Sequence, residues 1–90
     1  MLKLNTSTQF KKDFKTCMKR HYNMELLQAV VDVLRVPDIL PQKNRDYSLT
    51  GNYTGCRECH IQPDWLLIYR QTETELYLVS TGTHADLFGL

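Results

Sequence analysis

Ninety residues are the scale of one domain, residues 1–90, with a modest core. The composition, 42% hydrophobic and 23% charged with four Gly and three Pro, is that of a globular chain and excludes disordered and fibrous classes. No run of eighteen apolar residues is present, so no membrane-spanning helix is expected. The first fifteen residues, MLKLNTSTQFKKDFK, lack the apolar stretch and small-residue cleavage site of an export signal, which points to a cytoplasmic protein without disulfides. The net charge of +1 is unevenly spread: residues 1–20 carry six basic side chains against Asp13 alone, and the remainder carries five basic and nine acidic ones. A basic N-terminal element is a candidate polyanion surface; the plainer alternative is a solvated helix face.

Residues 2–6 (LKLNT) read as a short strand, followed by a helix N-cap at Ser7 or Thr8. Phe10, Phe14, Cys17, Met18 and His21 then recur on one helical face, while Lys11, Lys12, Lys15 and Lys19 point elsewhere. Asn23 can cap a second helix with Leu26, Leu27, Val30, Val31 and Leu34 as its buried stripe, stopped by Pro37 at or before Val36. Residues 37–51 are polar, contain two prolines, and read as a loop long enough to have a function. A three-stranded meander follows: residues 55–61, a turn at Gln62-Pro63-Asp64, the apolar run WLLIYR at 65–70, a polar turn, and LYLVST at 76–81. The tail ends in LFGL. The order β-α-α-β-β-β predicts an α+β fold, with two helices packed on a mainly antiparallel four-stranded sheet.

The pentapeptide CRECH, residues 56–60, matches the C-x-x-C-H spacing of haem attachment and, with His84 or His21 recruited, of a zinc site. In a strand, however, side chains alternate between faces. Cys56, Glu58 and His60 then share one face, and Arg57, Cys59 and Ile61 the other. Two sulfurs on opposite faces cannot grip one porphyrin edge or one ion, so no metal and no cofactor is expected. What remains is Glu58 beside His60, closely followed by Asp64 and Trp65: several proton-handling groups within a short span, beside the alternative that a histidine on a sheet is merely structural.

These residues carry a resemblance. The run R-E-C-H-I-Q-P-D-W-L-L-I-Y from Arg57, then T-G-T-H-A-D-L-F-G from Thr81, resembles the C-terminal half of YafQ-type toxins in the RelE-like toxin–antitoxin superfamily. It extends upstream through D-Y-S-L-T-G at residues 46–51 to the first helix. The resemblance implies a metal-free ribonuclease that cuts messenger RNA in the ribosomal A site and is silenced by a cognate antitoxin. Operator DNA would be bound only through the antitoxin complex. It also implies site residues: His60 in the strand, Asp64 after the proline turn with Trp65 beside it, and His84 and Phe88 near the C-terminus, with Arg57 and Glu58 also matching. Two positions depart. Tyr47 stands where the family typically has histidine, and Ser80 where an arginine usually precedes T-G-T-H.

Metal-free RNA cleavage uses the 2′-hydroxyl as nucleophile. It needs a general base, a general acid, and donors or positive charge on the phosphate. His60 and His84 are the expected acid–base pair, since an ordinary imidazole reaches both protonation states near neutral pH. Asp64 can orient a histidine or act as base. Trp65 and Phe88 can stack on an unpaired base, or else pack in the core. Tyr47 is a poor base and is expected to bind phosphate or base instead. Arg57 and Arg70 are the candidates to stand in for the missing arginine, although parity sets Arg57 opposite His60. Lys11, Lys12, Lys15 and Lys19 are expected on ribosomal RNA or an acidic antitoxin. The competing reading is a weak or inactive toxin homologue that acts mainly as an antitoxin-binding co-repressor.

Overall fold

The most apolar run of the chain becomes the middle of the sheet. In the computed structural model, which describes residues 1–89, strands form at Lys3–Thr6 (β1), Tyr47–Ser48 (β2), Arg57–Gln62 (β3), Trp65–Gln71 (β4) and Glu75–Gly82 (β5). Helices form at Thr8–Lys19 (α1), Met24–Arg35 (α2) and His84–Phe88 (α3). Leu90, the last residue of the apolar tail, lies outside the described residues. The strand order β1-β5-β4-β3-β2 gives β4 a partner on each side, and every residue from Trp65 to Tyr69 is buried. β1 runs parallel to β5; the other neighbours are antiparallel. The α+β class is as expected, with five strands instead of four. The additional one, β2, is a two-residue pairing inside the polar 37–51 loop. Two polar residues leave no apolar period to read.

Both main helices start where a side chain can satisfy free amides. Ser7 Oγ accepts the Phe10 N–H at 2.8 Å, and Asn23 Oδ1 accepts the Glu25 N–H at 3.1 Å. α2 also places Glu25 in its first turn and Arg35 in its last, both favourable to the helix dipole. Its stripe of Leu27, Val30, Val31 and Leu34 is buried as expected. On α1 the stripe is narrower: Phe10 and Cys17 are buried, while Met18 is 49% exposed and His21 turns outward, ending the helix in a left-handed conformation. Lys11, Lys12, Lys15 and Lys19 are all exposed.

Alternation on β4 divides the core. Trp65, Leu67 and Tyr69 join Cys17, Leu27, Val31 and Leu34 in one apolar cluster beneath the helices. Leu66 and Ile68 are buried on the opposite face. Each fully buried side chain of this size is worth about 1.5–3 kcal/mol relative to exposure. β1 covers β5 only from Glu75 to Leu78. Beyond it, Asp13 on α1 accepts the Thr81 N–H at 3.2 Å and the Ser80 hydroxyl at 2.5 Å.

Candidate functional site

Register on the open face of the sheet brings together residues from three strands. Tyr47 pairs with Glu58, Glu58 with Ile68, and His60 with Leu66. Directly opposed residues share a face, so Tyr47, Glu58 and His60 lie side by side. Glu58 is only 3% exposed. Its Oε1 accepts the Tyr47 hydroxyl at 3.0 Å and lies 3.2 Å from His60 Nε2. A buried carboxylate is tolerated only with partners of this kind. The Tyr47 phenol is pushed up from its ordinary value, first by burial and then by the bond to Glu58, so it remains a proton donor at neutral pH.

A second pair is built at the opposite end of the sequence. The two-residue turn between β3 and β4 carries Asp64, and α3 begins at His84. Asp64 Oδ1 accepts the His84 backbone N–H at 2.9 Å and sits 2.6 Å from His84 Nδ1. These bonds, with His84 as their common source, hold the Asp64 carboxyl below its ordinary range. It is therefore fully ionised near neutrality. α3 is only five residues long and relies on its cap: Thr83 Oγ1 accepts the Asp86 N–H at 3.0 Å, and the Asp86 carboxylate accepts the Thr83 N–H at 2.9 Å. Arg20, one residue past α1, clamps that carboxylate with two bonds of 2.6 and 3.1 Å. Gly82 leads into the helix with φ of 156°, and a Cβ there would lie 2.8 Å from Asp86 Oδ2, so only glycine fits this approach.

The two histidines meet. Their ring centroids are 5.5 Å apart and nearly perpendicular. Among the described residues each has one ring nitrogen engaged by a carboxylate, which leaves the other for a reacting proton. Both rings border a cavity of about 570 Å³ that is also lined by Lys43, Asn44 and Arg45 from the 37–51 loop and by Leu26. A register shift between His60 and Gln62 marks a β-bulge at its wall. The buried Asn44 donates its Nδ2 to the His60 carbonyl at 2.7 Å, tying loop to strand. Glu58, His60 and His84 also present ligand atoms within 4.8 Å of one another, a donor set that fits a zinc- or copper-type ion. No cysteine belongs to it: Cys59 is in the helix-side core, its thiol pushed up to about 12 by burial, and Cys56 precedes β3.

Several sequence-derived site residues fall elsewhere. Trp65 is 1% exposed, packs against Tyr22 at 4.9 Å between ring centroids, and donates its indole N–H to Thr81 at 3.0 Å. It belongs to the core and has no free face for a base. Arg57 lies on the helix side of the sheet, paired with Asp46 at 3.1 Å and bonded to Ser48. That places it across the sheet from His60. Arg70 lies over the Tyr77 ring, four residues along β4 from the partner of His60. Phe88 is half-buried and meets Tyr53 edge-on at 5.9 Å. The lysines of α1 are exposed on a helix that packs against β5, two strands from β3. Asn44, Thr83 and Asp86 were not singled out from sequence; the T-x-x-D spacing of Thr83 and Asp86 is a readable capping signal, whereas nothing local marks Asn44.

Comparison with known proteins converges on one family. The model of the bacterial toxin of type II toxin–antitoxin systems, YafQ, matches residues 2–89. The mRNA interferase toxin YafQ of Escherichia coli strain K12 is 42% identical over 84 residues, covering 92% of this chain and 91% of the relative. The toxin in the E. coli DinJ–YafQ toxin–antitoxin complex superposes with a TM-score of 0.90 at 39% identity, covering 98% of both chains. A metal-bound toxin from Helicobacter pylori superposes with a TM-score of 0.91 at 40% identity, covering 98% of this chain and all of that one.

Proposed function

The chain belongs to the YafQ family of bacterial type II toxin–antitoxin toxins, and from that premise we propose that it is a ribosome-dependent endoribonuclease acting on messenger RNA in the cytoplasm. The observation that carries the chemistry is the pair of carboxylate-backed histidines facing each other at 5.5 Å on a shared cavity. One imidazole takes the 2′-proton through its unengaged nitrogen while O2′ attacks the adjacent phosphorus. The other gives its proton to the departing 5′-oxygen. The products are a 2′,3′-cyclic phosphate and a 5′-hydroxyl, with no proton lost or gained overall. Glu58 and Asp64 hold the two rings in position and in a fixed orientation. Tyr47 donates to Glu58 and so braces the buried pair. Phe88 and Tyr53 offer ring surface to an unstacked base.

An antitoxin is the expected protein partner, as DinJ is for YafQ in the E. coli complex. The exposed lysines of α1 suit a salt-sensitive contact with ribosomal RNA or with an acidic antitoxin. Among the described residues, no helix is long and apolar enough to cross a membrane.

A second reading has its own observation. Glu58, His60 and His84 can hold a transition-metal ion, and the H. pylori relative is metal-bound. An ion there would occupy one nitrogen of each imidazole and bar the doubly protonated ring that acid–base transfer passes through, so we assign it an inhibitory rather than a catalytic part.

Induction of the chain without antitoxin, with mapping of messenger RNA ends on translating ribosomes, tests the main reading. Growth arrest with defined cuts is expected, and His60→Ala and His84→Ala should each lower cleavage by about 10²–10⁴-fold. Unimpaired growth with intact messages would sink it and leave an antitoxin-binding co-repressor. Cuts that increase on adding copper or zinc would reverse the role given to the metal.

A further inference from the structure

Cleavage by the proposed route needs positive charge on the phosphate, and the position where the family usually has arginine supplies none. Ser80 is 5% exposed and its hydroxyl is engaged by Asp13. The chain has eleven lysines and arginines, and nearly all are placed elsewhere. Lys3 is on β1, and Lys11, Lys12, Lys15 and Lys19 are on α1. Arg20 is clamped to Asp86, Arg35 donates to the Leu2 carbonyl, Arg57 is paired with Asp46 and Arg70 lies over Tyr77. Lys43 and Arg45 remain, and both line the cavity that holds the two histidines.

Two features fix them there. Asn44, the residue between them, is buried and bonded to the His60 carbonyl, so the turn cannot swing away from the histidine without breaking that bond. Arg45 itself is held at φ of 45°, in the left-handed region that disfavours residues with a Cβ other than Asn and Asp. An arginine kept where asparagine would be easier, beside a reactive cluster, is strain of the kind found at functional positions. Both side chains are exposed, and neither has a carboxylate partner among the described residues.

We infer that Arg45, with Lys43, is the phosphate-binding element of the site and takes the part that the missing strand arginine would play. This rests on the ribonuclease reading above. Arg45 provides a planar fork of donors for the phosphate under attack, and Lys43 a point charge for the neighbouring one.

The test uses a labelled single-stranded 2′-O-methyl RNA, which lacks the nucleophile and so reports binding alone. Arg45→Asn should bind about tenfold more weakly at low salt, as loss of a charged hydrogen bond predicts. Its thermal stability should be unchanged or raised, because asparagine relieves the backbone. Arg45→Lys should recover part of the loss. Lys43→Gln with Arg45→Asn should flatten the salt dependence of log K by about 1.4, as expected for two single-strand phosphate contacts. Wild-type affinity and slope in the double variant would overturn the inference, as would an absence of binding by the unaltered chain. Message cleavage separates the two levels. Cuts lost in His84→Ala but retained in the double variant reject the phosphate element alone. Cuts retained in His84→Ala reject the two-histidine chemistry, whereas intact messages with the unaltered chain reject the ribonuclease reading; the binding result decides the phosphate element in either case.

Discussion

The two histidine–carboxylate pairs are built from different material. Glu58 and His60 belong to a sheet strand, and their side chains are 4% and 11% exposed. Asp64 and His84 come from a two-residue turn and a five-residue helix, at 65% and 39%. The first pair is locked by ladder bonds, a bulge and a tyrosine. The second is held by a helix cap and, at one remove, by the Arg20–Asp86 clamp. One half of the site is thus part of the folding core, and the other is an attachment to it. The interior half can be disturbed only at a cost in stability, whereas the outer half can adjust to a substrate at little cost.

Removing the interior carboxylate should have the largest effect on the fold. Glu58→Ala leaves the Tyr47 hydroxyl and His60 Nε2 without their acceptor, and about 1–3 kcal/mol of stability should be lost. In a domain of this size that lowers Tm by roughly 4–8 °C per kcal/mol. A thermal melt unchanged from wild type would show that the buried pair is not structural.

The outer carboxylate should separate stability from activity. Asp64→Asn keeps shape and exposure, so its melting curve should shift by no more than a degree or two. Cleavage should still fall at least tenfold, because the ring of His84 loses its anionic partner. Equal losses in both measurements would erase the distinction between the pairs.

The smallest effect concerns acid. The carboxyls of Asp86 and Asp64 are both held low, Asp86 first by its bond to Arg20 and Asp64 first by the His84 N–H. A depressed folded value means that the unfolded chain binds more protons in acid. Their contribution is therefore complete above about pH 5 and is lost as pH falls below about 4, the ordinary carboxylate value, towards pH 2. Amide exchange across α3 should rise over that window while β4 stays protected. Asp86→Asn should remove most of the pH response; a response that persists in the variant would place its source elsewhere.

Sequence reasoning served the two pairs unequally for the same physical reason. Period-2 alternation suffices to set Glu58 beside His60, because both lie on one strand. Caps at Ser7 and Asn23 and the two-faced apolar run of β4 are local signals too. Tyr47 is different: its meeting with Glu58 depends on cross-strand register, and β2 is too short to announce itself. His84 reaches Asp64 across twenty residues of chain, through a helix whose T-x-x-D cap was present but easily passed over in a short tail. Trp65 shows the opposite limit. An aromatic beside an acidic turn residue is equally consistent with stacking or packing until the helices are placed above it.

Asp13 bears on how the molecule avoids its own kind. A sheet whose last strand outruns its neighbour presents free amides to any passing chain, a template for edge-to-edge aggregation. β5 outruns β1 by several residues, and there the Asp13 carboxylate occupies the Thr81 amide with a negative charge at the rim. The chain thereby carries, at that rim, a built-in guard against self-association.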